Sequence, residues 1–334
     1  MAIHSAENSR AVAVASRSEE KANSWARQFN VERGMGSYDE MINSQDIDAI
    51  YIPLPTALKA EWAVKAAVAG KHILVEKPLP GLRDVDELSS MVSTCEKHGV
   101  QFMDGTMWLH SIRTKMISEM LDRKDIGKVK RVIAAMTFRA PSEEWLHGGN
   151  GRTDKSREPM GCLGDQGWYP IGAILFAKRY VAPVAVRLDT WELNRVDTIV
   201  GATGTVFFED GSTGVFDCGA TSCHRSQFEI VGENGTIRVE DQVGGQGRSG
   251  YFEAYEKEYT GSTYFKMDDK MGKETVIDVE GCDHTKLMIQ DFSDCIQRKE
   301  IDSSWPSKSL LAQKVLVALF KSYENGGEKI VLSD

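Results

Sequence analysis

Short apolar runs alternate with amphipathic helical patterns through the first third of the chain. A continuous apolar run is typical of a parallel strand buried on both faces, whereas apolar positions three and four residues apart are typical of a helix. Strands and helices that alternate at this pace predict βαβ units and a parallel sheet. The predicted strands are Ala11–Ser16, Ile47–Pro55, His72–Lys77 and Val100–Gly105, and the predicted helices are Glu19–Phe29, Leu58–Gly70 and Asp84–Gly99.

The pattern changes after about Thr106, where apolar and polar residues begin to alternate within strand-length segments. This alternation is typical of antiparallel strands with one face in water, and Asp-Gly or Asn-Gly between two such strands predicts a hairpin. The predicted elements are a strand at Lys130–Phe138, hairpins at Thr198–Gly219 and Gln227–Asp241 (the second with a type I′ turn at Asn234-Gly235), a strand at Tyr251–Met267, and helices near Ser111–Arg123, Thr285–Arg298 and Ser307–Asn325.

These patterns predict the α/β fold class with two domains. Residues 1–107 are predicted to form a Rossmann-like parallel sheet that is truncated at its N-terminus, and residues 108–334 an α+β domain with a large, mostly antiparallel open sheet. A chain of 334 residues is long enough for two hydrophobic cores, which agrees with this division.

The net charge and the cysteine content limit which partners and which cellular location are expected for the protein. A net charge of −9 argues against nucleic acid or an anionic membrane as the main partner, and we expect a small-molecule substrate instead. Six scattered cysteines and an N-terminus without an apolar signal core indicate the cytoplasm. The pairs Cys223-His224 and Cys282-x-His284 lack the spacing with which a short loop binds zinc, so no metal site is predicted.

The glycine-rich loop of a dinucleotide-binding sheet, which follows the first strand and leads into a helix, is missing where it is expected. Met1–Ala6 is predicted to be the end of that first helix, and Ala11–Ser16 the second strand. The one G-x-G-x-x-G, Gly245–Gly250, precedes a strand pattern and is interpreted as a hairpin loop. Either the chain fills the gap in its sheet another way, or the sequence is a truncated product of a longer gene.

Residues His72–Pro80 form an apolar strand that ends in Glu76, Lys77 and Pro78. Ligands of open α/β sheets bind beyond the carboxyl ends of the strands, so Lys77 is a candidate site residue. Pro78 restricts Lys77 to extended geometry and is a candidate for a cis peptide bond. The alternative interpretation is a solvated lysine in a strand-to-helix loop.

A second candidate cluster lies in Met160–Tyr180, where glycines lead into a predicted helix. Asp165 is expected near the first turn of this helix, and Tyr169, four residues later, on the same face. A tyrosine hydroxyl exchanges protons with an alcohol oxygen when a nearby cation lowers its pKa. Alternatively, Asp165 caps the helix and Tyr169 is a tyrosine of the core.

The segments IDAIYIPLP, EWAVKAAVAGKHILVEKPLP and GCLGDQGWYPI together resemble the glucose–fructose oxidoreductase, inositol dehydrogenase and rhizopine-catabolism (Gfo/Idh/MocA) family. The chain is most similar to the branch with a catalytic tyrosine, which includes dihydrodiol and xylose dehydrogenases and plant-type oxidoreductases. The resemblance implies a nicotinamide cofactor and a homodimer or higher homo-oligomer. The chain departs from the family at Lys59, where histidine is common, and in its missing glycine loop.

The resemblance also implies roles for individual residues. Lys77 would polarise the substrate oxygen, Tyr169 would exchange the proton, and Asp165 would lie beside the substrate. Arg157 and Trp168 would bind the substrate. Arg17 after the second strand would accommodate the 2′-phosphate of NADP, unless it is only an exposed cation at a helix start. The implied cofactor-binding residues are Ser16, Arg17, Pro53, Leu54, Glu76, Lys77 and Pro78.

We therefore predict an NAD(P)-dependent oxidoreductase, NADP-preferring, that transfers a hydride between the cofactor and a sugar, polyol or related small hydroxy or carbonyl compound. The alternative is a catalytically inactive relative or truncated form that binds a small molecule or a protein. The missing glycine loop is the reason to keep this alternative.

Overall fold

The structure, a computed structural model, describes residues 2–243 and 263–332. Packing divides the chain into two compact units, and each is described by itself. The first unit comprises residues 1–80, 86–110 and 283–309, and the second comprises residues 81–85, 111–282 and 310–334. Residues 283–309, which lie beyond the predicted domain boundary at residue 107, group with the first unit.

The helices of the described residues lie within or close to the predicted segments, with the short α3 in addition. They are α1 (Ala2–Ser5), α2 (Glu19–Gln28), α3 (Tyr38–Asn43), α4 (Thr56–Val68), α5 (Asp86–Lys97), α6 (Ile112–Arg123), α7 (Cys162–Asp165), α8 (Trp168–Ala177), α9 (His284–Arg298) and α10 (Ser304–Glu324). Shorter helical turns are present at Met107–His110, Trp145–Gly149 and Gly151–Thr153.

The strands of the described residues divide at about residue 110 between the two units. They are β1 (Ala13–Ala15), β2 (Arg33–Met35), β3 (Ala49–Ile52), β4 (His72–Val75), β5 (Phe102–Asp104), β6 (Val129–Arg139), β7 (Ala185–Leu193), β8 (Ile199–Phe207), β9 (Thr213–Gly219), β10 (Thr221–Gly232), β11 (Gly235–Val239), β12 (Thr263–Asp269), β13 (Glu274–Val279) and β14 (Ile330–Val331).

All strand pairs of the first unit are parallel, as the continuous apolar runs predict. The strands form two separate sheets, β1-β2 and β3-β4-β5. In a doubly wound sheet of order 3-2-1-4-5-6, the first strand would lie between the strands that correspond to β1 and β3. Within residues 2–243 and 263–332 no strand joins these two sheets.

The second unit contains a nine-stranded sheet in the order β13-β12-β11-β10-β6-β9-β8-β7-β14. Among the strands of the described residues in this sheet only β6 and β9 pair in parallel, so the prediction of a large, mostly antiparallel sheet is confirmed. Helix α8 covers part of one face, and a Cβ atom at Gly214 of β9 would lie 2.4 Å from the Ile174 side chain. This close approach explains the absence of a side chain at Gly214.

Several local predictions need correction. The hairpin between β10 and β11 exists, but neither Asn234 nor Gly235 has the positive φ of a type I′ turn. The single helix predicted in Met160–Tyr180 is interrupted after Asp165, so α7 and α8 are separate. Strands β2, β7 and β13 and helix α3 were not predicted. Of the predicted strand Tyr251–Met267, only the part from Thr263 onward lies within the described residues, and Gly245–Gly250 lies outside them.

No helix of the described residues combines the length and the apolar character that crossing a membrane requires.

Candidate active site

Strand β4 positions the first group of candidate residues. It is the central strand of β3-β4-β5, and its residues Ile73, Leu74 and Val75 are buried. The parallel hydrogen bonding continues one residue past its end, since the Glu76 amide donates to the Ile52 carbonyl over 3.1 Å. Lys77 follows directly, so its backbone extends from the carboxyl end of a buried parallel strand, where ligands of such sheets bind.

The segment after Lys77 is also held by hydrogen bonds. The Lys77–Pro78 peptide bond is cis, as the sequence indicated. The Pro78 carbonyl accepts a hydrogen bond of 2.6 Å from the Lys59 ammonium, which lies in the first turns of α4. Thr56 Oγ1 lies 3.5 Å from the same carbonyl. Lys59, which the resemblance identified only as a departure from histidine, therefore contacts the segment that carries Lys77.

The Glu76 carboxyl is half-buried beside Lys77. Its Oε1 accepts a hydrogen bond of 2.6 Å from the Tyr51 hydroxyl. A Cβ atom at Gly105 would lie 2.7 Å from the same oxygen, so only glycine leaves room for the carboxyl. Loss of hydration raises the pKa of Glu76, although the Tyr51 hydrogen bond and the charges of Lys77 and Lys59 act to lower it.

The remaining candidate cofactor residues of the first unit also follow strand ends. Ser16 and Arg17 come directly after β1, and the Ser16 amide donates to the Met35 carbonyl over 3.0 Å. The Arg17 side chain is exposed. Pro53 and Leu54 come directly after β3, with Pro53 exposed and Leu54 partly buried. Each predicted residue is therefore at the carboxyl end of a parallel strand, although in two separate sheets.

In the second unit, Asp165 is the last residue of α7 and is buried. Its Oδ2 accepts a hydrogen bond of 2.8 Å from the Gln166 amide group. The Arg152 Nε lies 3.3 Å from the same oxygen, and the Arg152 side chain is 55% exposed. The carboxylate is thus joined to a cation that remains accessible to solvent. Asp165 is not the N-cap of either helix, since Gly161 and Gly167 are the N-cap residues, and its role in a site stays a prediction.

Tyr169 and Trp168 open helix α8, and both side chains are buried. The Tyr169 carbonyl accepts a hydrogen bond of 3.0 Å from the buried Gln242 side chain. The prediction that Asp165 and Tyr169 lie on one helix is wrong, because the chain changes from α7 to α8 at Gln166 and Gly167. A Cβ atom at Gly167 would lie 2.2 Å from the Leu163 carbonyl oxygen, so this junction requires glycine.

The side chain of Arg157, the predicted substrate-binding arginine, is 66% exposed. Its Nε lies 3.8 Å from Asp154 Oδ2. The arginine that contacts Asp165 is Arg152, which sequence reasoning did not select. It missed Gln242 and Tyr51 as well. Tyr51 could have been found from the sequence, because it is the next-to-last residue of β3, the strand that pairs with β4. The contacts of Arg152 and Gln242 depend on the fold of the second unit.

The residues of the first unit fit a bound nicotinamide dinucleotide. The carboxyl ends of parallel strands are where open α/β sheets bind ligands; there Arg17 supplies an exposed cation after β1, and Lys77 lies just beyond the end of β4. Within the described residues, no group of three or more histidine, cysteine, aspartate or glutamate side chains could hold a metal ion.

The chain matches models of a known protein family in both of its units. Residues 1–106 match the oxidoreductase family with an NAD-binding Rossmann fold, and residues 114–238 match the GFO/IDH/MocA C-terminal domain. An uncharacterised oxidoreductase of Rhizobium meliloti is 32% identical over 71% of this chain and 68% of its own length. The NADP-dependent D-xylose 1-dehydrogenase 2 of Haloferax volcanii is 31% identical over 65% of each chain. The chain thus aligns with about two thirds of the length of these relatives.

Among solved structures, a 3-ketoreductase from Actinomadura kijaniata, crystallised with NADP and TDP-benzene, superposes with a TM-score of 0.80. The superposition covers 96% of this chain and 92% of the reductase at 22% sequence identity, which establishes the shared fold. The predicted family, fold class and Rossmann-type cofactor domain are confirmed by these matches. The predicted roles of individual site residues stay predictions.

Proposed function

Since the chain belongs to the GFO/IDH/MocA oxidoreductase family, we propose that it is an NADP-preferring enzyme that acts on a CH–OH group of a sugar, polyol or related small compound. The observation that carries the proposal is Lys77 at the carboxyl end of the buried strand β4, within the part of the chain that matches the NAD-binding fold. Relatives named as an NADP-dependent D-xylose dehydrogenase and an NADP-dependent scyllo-inositol dehydrogenase support both the cofactor and the substrate class.

The bound cofactor would supply or accept the hydride, and the protein would supply orientation and proton transfer. We assign to the Lys77 ammonium the stabilisation of negative charge that develops on the substrate oxygen. Tyr169 would exchange the proton of that oxygen through its hydroxyl. Asp165, joined to Arg152, would accept a hydrogen bond from a substrate hydroxyl.

Cofactor residues follow the same proposal. Ser16 and Arg17 would meet the adenosine ribose, with the Arg17 guanidinium on the 2′-phosphate of NADP. Pro53, Leu54, Glu76 and Pro78 would line the nicotinamide side. Arg157 and Trp168 would contact substrate. A cytoplasmic location and a homodimer or higher homo-oligomer belong to the proposal as well, supported by composition and by analogy with the family.

Fluorescence titration with NADPH and NADH, followed by a screen of sugars and polyols, tests the function. We expect saturable NADPH binding, and a loss of about tenfold or more in NADPH affinity in Arg17→Ala with little change for NADH. In Tyr169→Phe we expect kcat to fall by about 100-fold or more, because the proton donor is lost. Tyr323→Phe, a matched variant in α10, should turn over like the unsubstituted protein.

A folded protein that binds neither NADPH nor NADH would overturn the proposal. The catalytically inactive relative, a small-molecule or protein-binding module, would then be the better description. Equal turnover in Tyr169→Phe and Tyr323→Phe would agree with the proposed oxidoreductase activity but would refute the role of Tyr169 in proton transfer.

A further inference from the structure

Lys59 is a buried lysine whose charge the proposed reaction does not use. It is 2% exposed, in the first turns of α4. Lysine is almost never fully buried unless its ammonium is paired or hydrogen-bonded, because loss of hydration is costly. Its 2.6 Å hydrogen bond to the Pro78 carbonyl offsets part of the free energy that burial of the ammonium costs.

With this hydrogen bond, the backbone is fixed on both sides of Lys77. On the N-terminal side, the Glu76 amide is fixed to the Ile52 carbonyl at 3.1 Å. On the C-terminal side, the Pro78 carbonyl is fixed by the Lys59 ammonium. The first contact comes from the parallel sheet and the second from a charged side chain of α4. Both residues that flank Lys77 are thus held by groups outside their own segment.

The positive charge of Lys59 also affects the ionisation of the neighbouring Glu76 carboxyl. The positive charges of Lys59 and Lys77 both favour the ionised form of the Glu76 carboxyl. The same carboxyl is held by the Tyr51 hydroxyl at 2.6 Å. A change at Lys59 therefore alters both the backbone beside Lys77 and the electrostatic surroundings of its neighbour.

We propose that Lys59 is a positioning residue for Lys77, acting through its hydrogen bond to the Pro78 carbonyl. The inference rests on the proposed function for its catalytic consequence, since it concerns the lysine to which that function assigns substrate activation. Its structural part, the placement of the Lys77 amine, is independent of any cofactor.

A second buried lysine in the same unit provides a matched control. Lys71 is 7% exposed, and its ammonium donates to the carbonyls of Ser44 at 2.7 Å and Ile47 at 2.8 Å. Lys59→Met and Lys71→Met each keep most of the aliphatic side chain and remove a buried ammonium from backbone carbonyls. Both variants should lower the thermal stability of the protein, so stability alone cannot distinguish a positioning role.

The first readout is acylation of the Lys77 amine in the cofactor-free protein, followed by peptide mass spectrometry under conditions where the protein is folded. We expect Lys59→Met to change the labelling rate of Lys77 by about threefold or more, because reactivity depends on the placement of the amine. Lys71→Met should label Lys77 at the unsubstituted rate. Lys59→Gln, which keeps a hydrogen-bond donor, should recover at least part of the effect.

The second readout is turnover with saturating NADPH. We expect kcat to fall by roughly tenfold or more in Lys59→Met, with the dissociation constant of NADPH nearly unchanged, and neither to change in Lys71→Met. Labelling and kcat that are the same in the two methionine variants would overturn the inference. If the unsubstituted protein does not turn over, the proposed function fails, and the labelling comparison still decides whether Lys59 positions Lys77.

Discussion

The parallel strands of the first unit and the nine-stranded sheet of the second use polar groups in different ways. In the first unit, buried polar side chains form hydrogen bonds with backbone groups of the segments next to the strands, as Lys59, Lys71 and Asp104 do. In the second unit, charged residues pair across strands of the sheet, as Arg238 of β11 does with Asp268 of β12 and Glu274 of β13. The difference follows from burial, because parallel strands are covered on both faces and antiparallel sheets leave one face in water.

Two aspartates that form the same kind of turn, one in each unit, allow the effect of burial to be compared. Asp104 and Asp210 each accept hydrogen bonds from the backbone amide and the hydroxyl of the residue two positions later. Each also accepts a third hydrogen bond, from Ser309 at Asp104 and from Lys178 at Asp210. Asp104 is buried at 3% exposure, whereas the Asp210 side chain is 33% exposed. The same turn is therefore expected to matter more where water cannot replace its hydrogen bonds.

The largest expected effect is the loss of the buried turn. Asp104→Ala should reduce the free energy of unfolding by about 3 kcal/mol, because it leaves several buried donors without an acceptor. Asp210→Ala should cost less, about 1 kcal/mol, because the Asp210 carboxylate is 33% exposed and water that reaches this site replaces part of its hydrogen bonding. Urea unfolding followed by circular dichroism measures both. Equal losses in the two variants would contradict the contrast between the units.

An intermediate effect is expected from the pH dependence of Glu76. Its folded pKa is raised by loss of hydration, so the folded state binds more protons than the unfolded state between the unfolded and the folded pKa. Stability should fall as pH rises through that interval, by up to about 1.4 kcal/mol per pH unit. Glu76→Gln should remove this decline, because the amide oxygen still accepts from Tyr51 and carries no charge.

Thermal unfolding at a series of pH values from about pH 4, near the ordinary pKa of glutamate, upward tests this expectation. Glu7→Gln, at an exposed position, is the control and should leave the pH dependence unchanged. Parallel pH profiles for Glu76→Gln and the unsubstituted protein would show that the Glu76 carboxyl remains hydrated.

The smallest effect is expected on the open sheet of the second unit. Arg238 and Glu274 lie 2.6 Å apart with side chains 32% and 45% exposed. A double-mutant cycle with Arg238→Met and Glu274→Gln should give a coupling free energy of about 0.2 to 1 kcal/mol, because exposed ion pairs are weak. The coupling should decrease at about 1 M salt, where charges are screened. A coupling well above this range that resists salt would place the pair in a buried environment.

Much of the fold follows from short-range patterns in the sequence. The apolar run at His72–Val75 predicted a buried parallel strand, and Asp210-Gly211 between two alternating segments predicted the β8–β9 hairpin. Strand β2 was missed because its residues Arg33–Met35 include an arginine and a glycine and have no apolar run. Its pairing with β1 is a long-range contact that supplies what local propensity lacks.

The candidate site divides in the same way. The sequence determined that Lys77 lies at the carboxyl end of an apolar strand segment, that Pro78 is a candidate for a cis bond, and that Asp165 and Tyr169 lie in one glycine-rich segment. The break between α7 and α8 depends on the close approach of Gly167 to the Leu163 carbonyl, which helix periodicity does not reveal. Only the tertiary structure identified Arg152, rather than Arg157, as the partner of Asp165.

The sequence by itself determined the family, the type of each sheet and the residues that follow the parallel strands, because these depend on local periodicity and on the order of residues along the chain. The tertiary structure decided which side chains are buried and which groups they contact. Lys59 shows the physical reason: a lysine in a helix is normally hydrated. Only the packing of α4 beside the segment after β4 brings its ammonium to the Pro78 carbonyl.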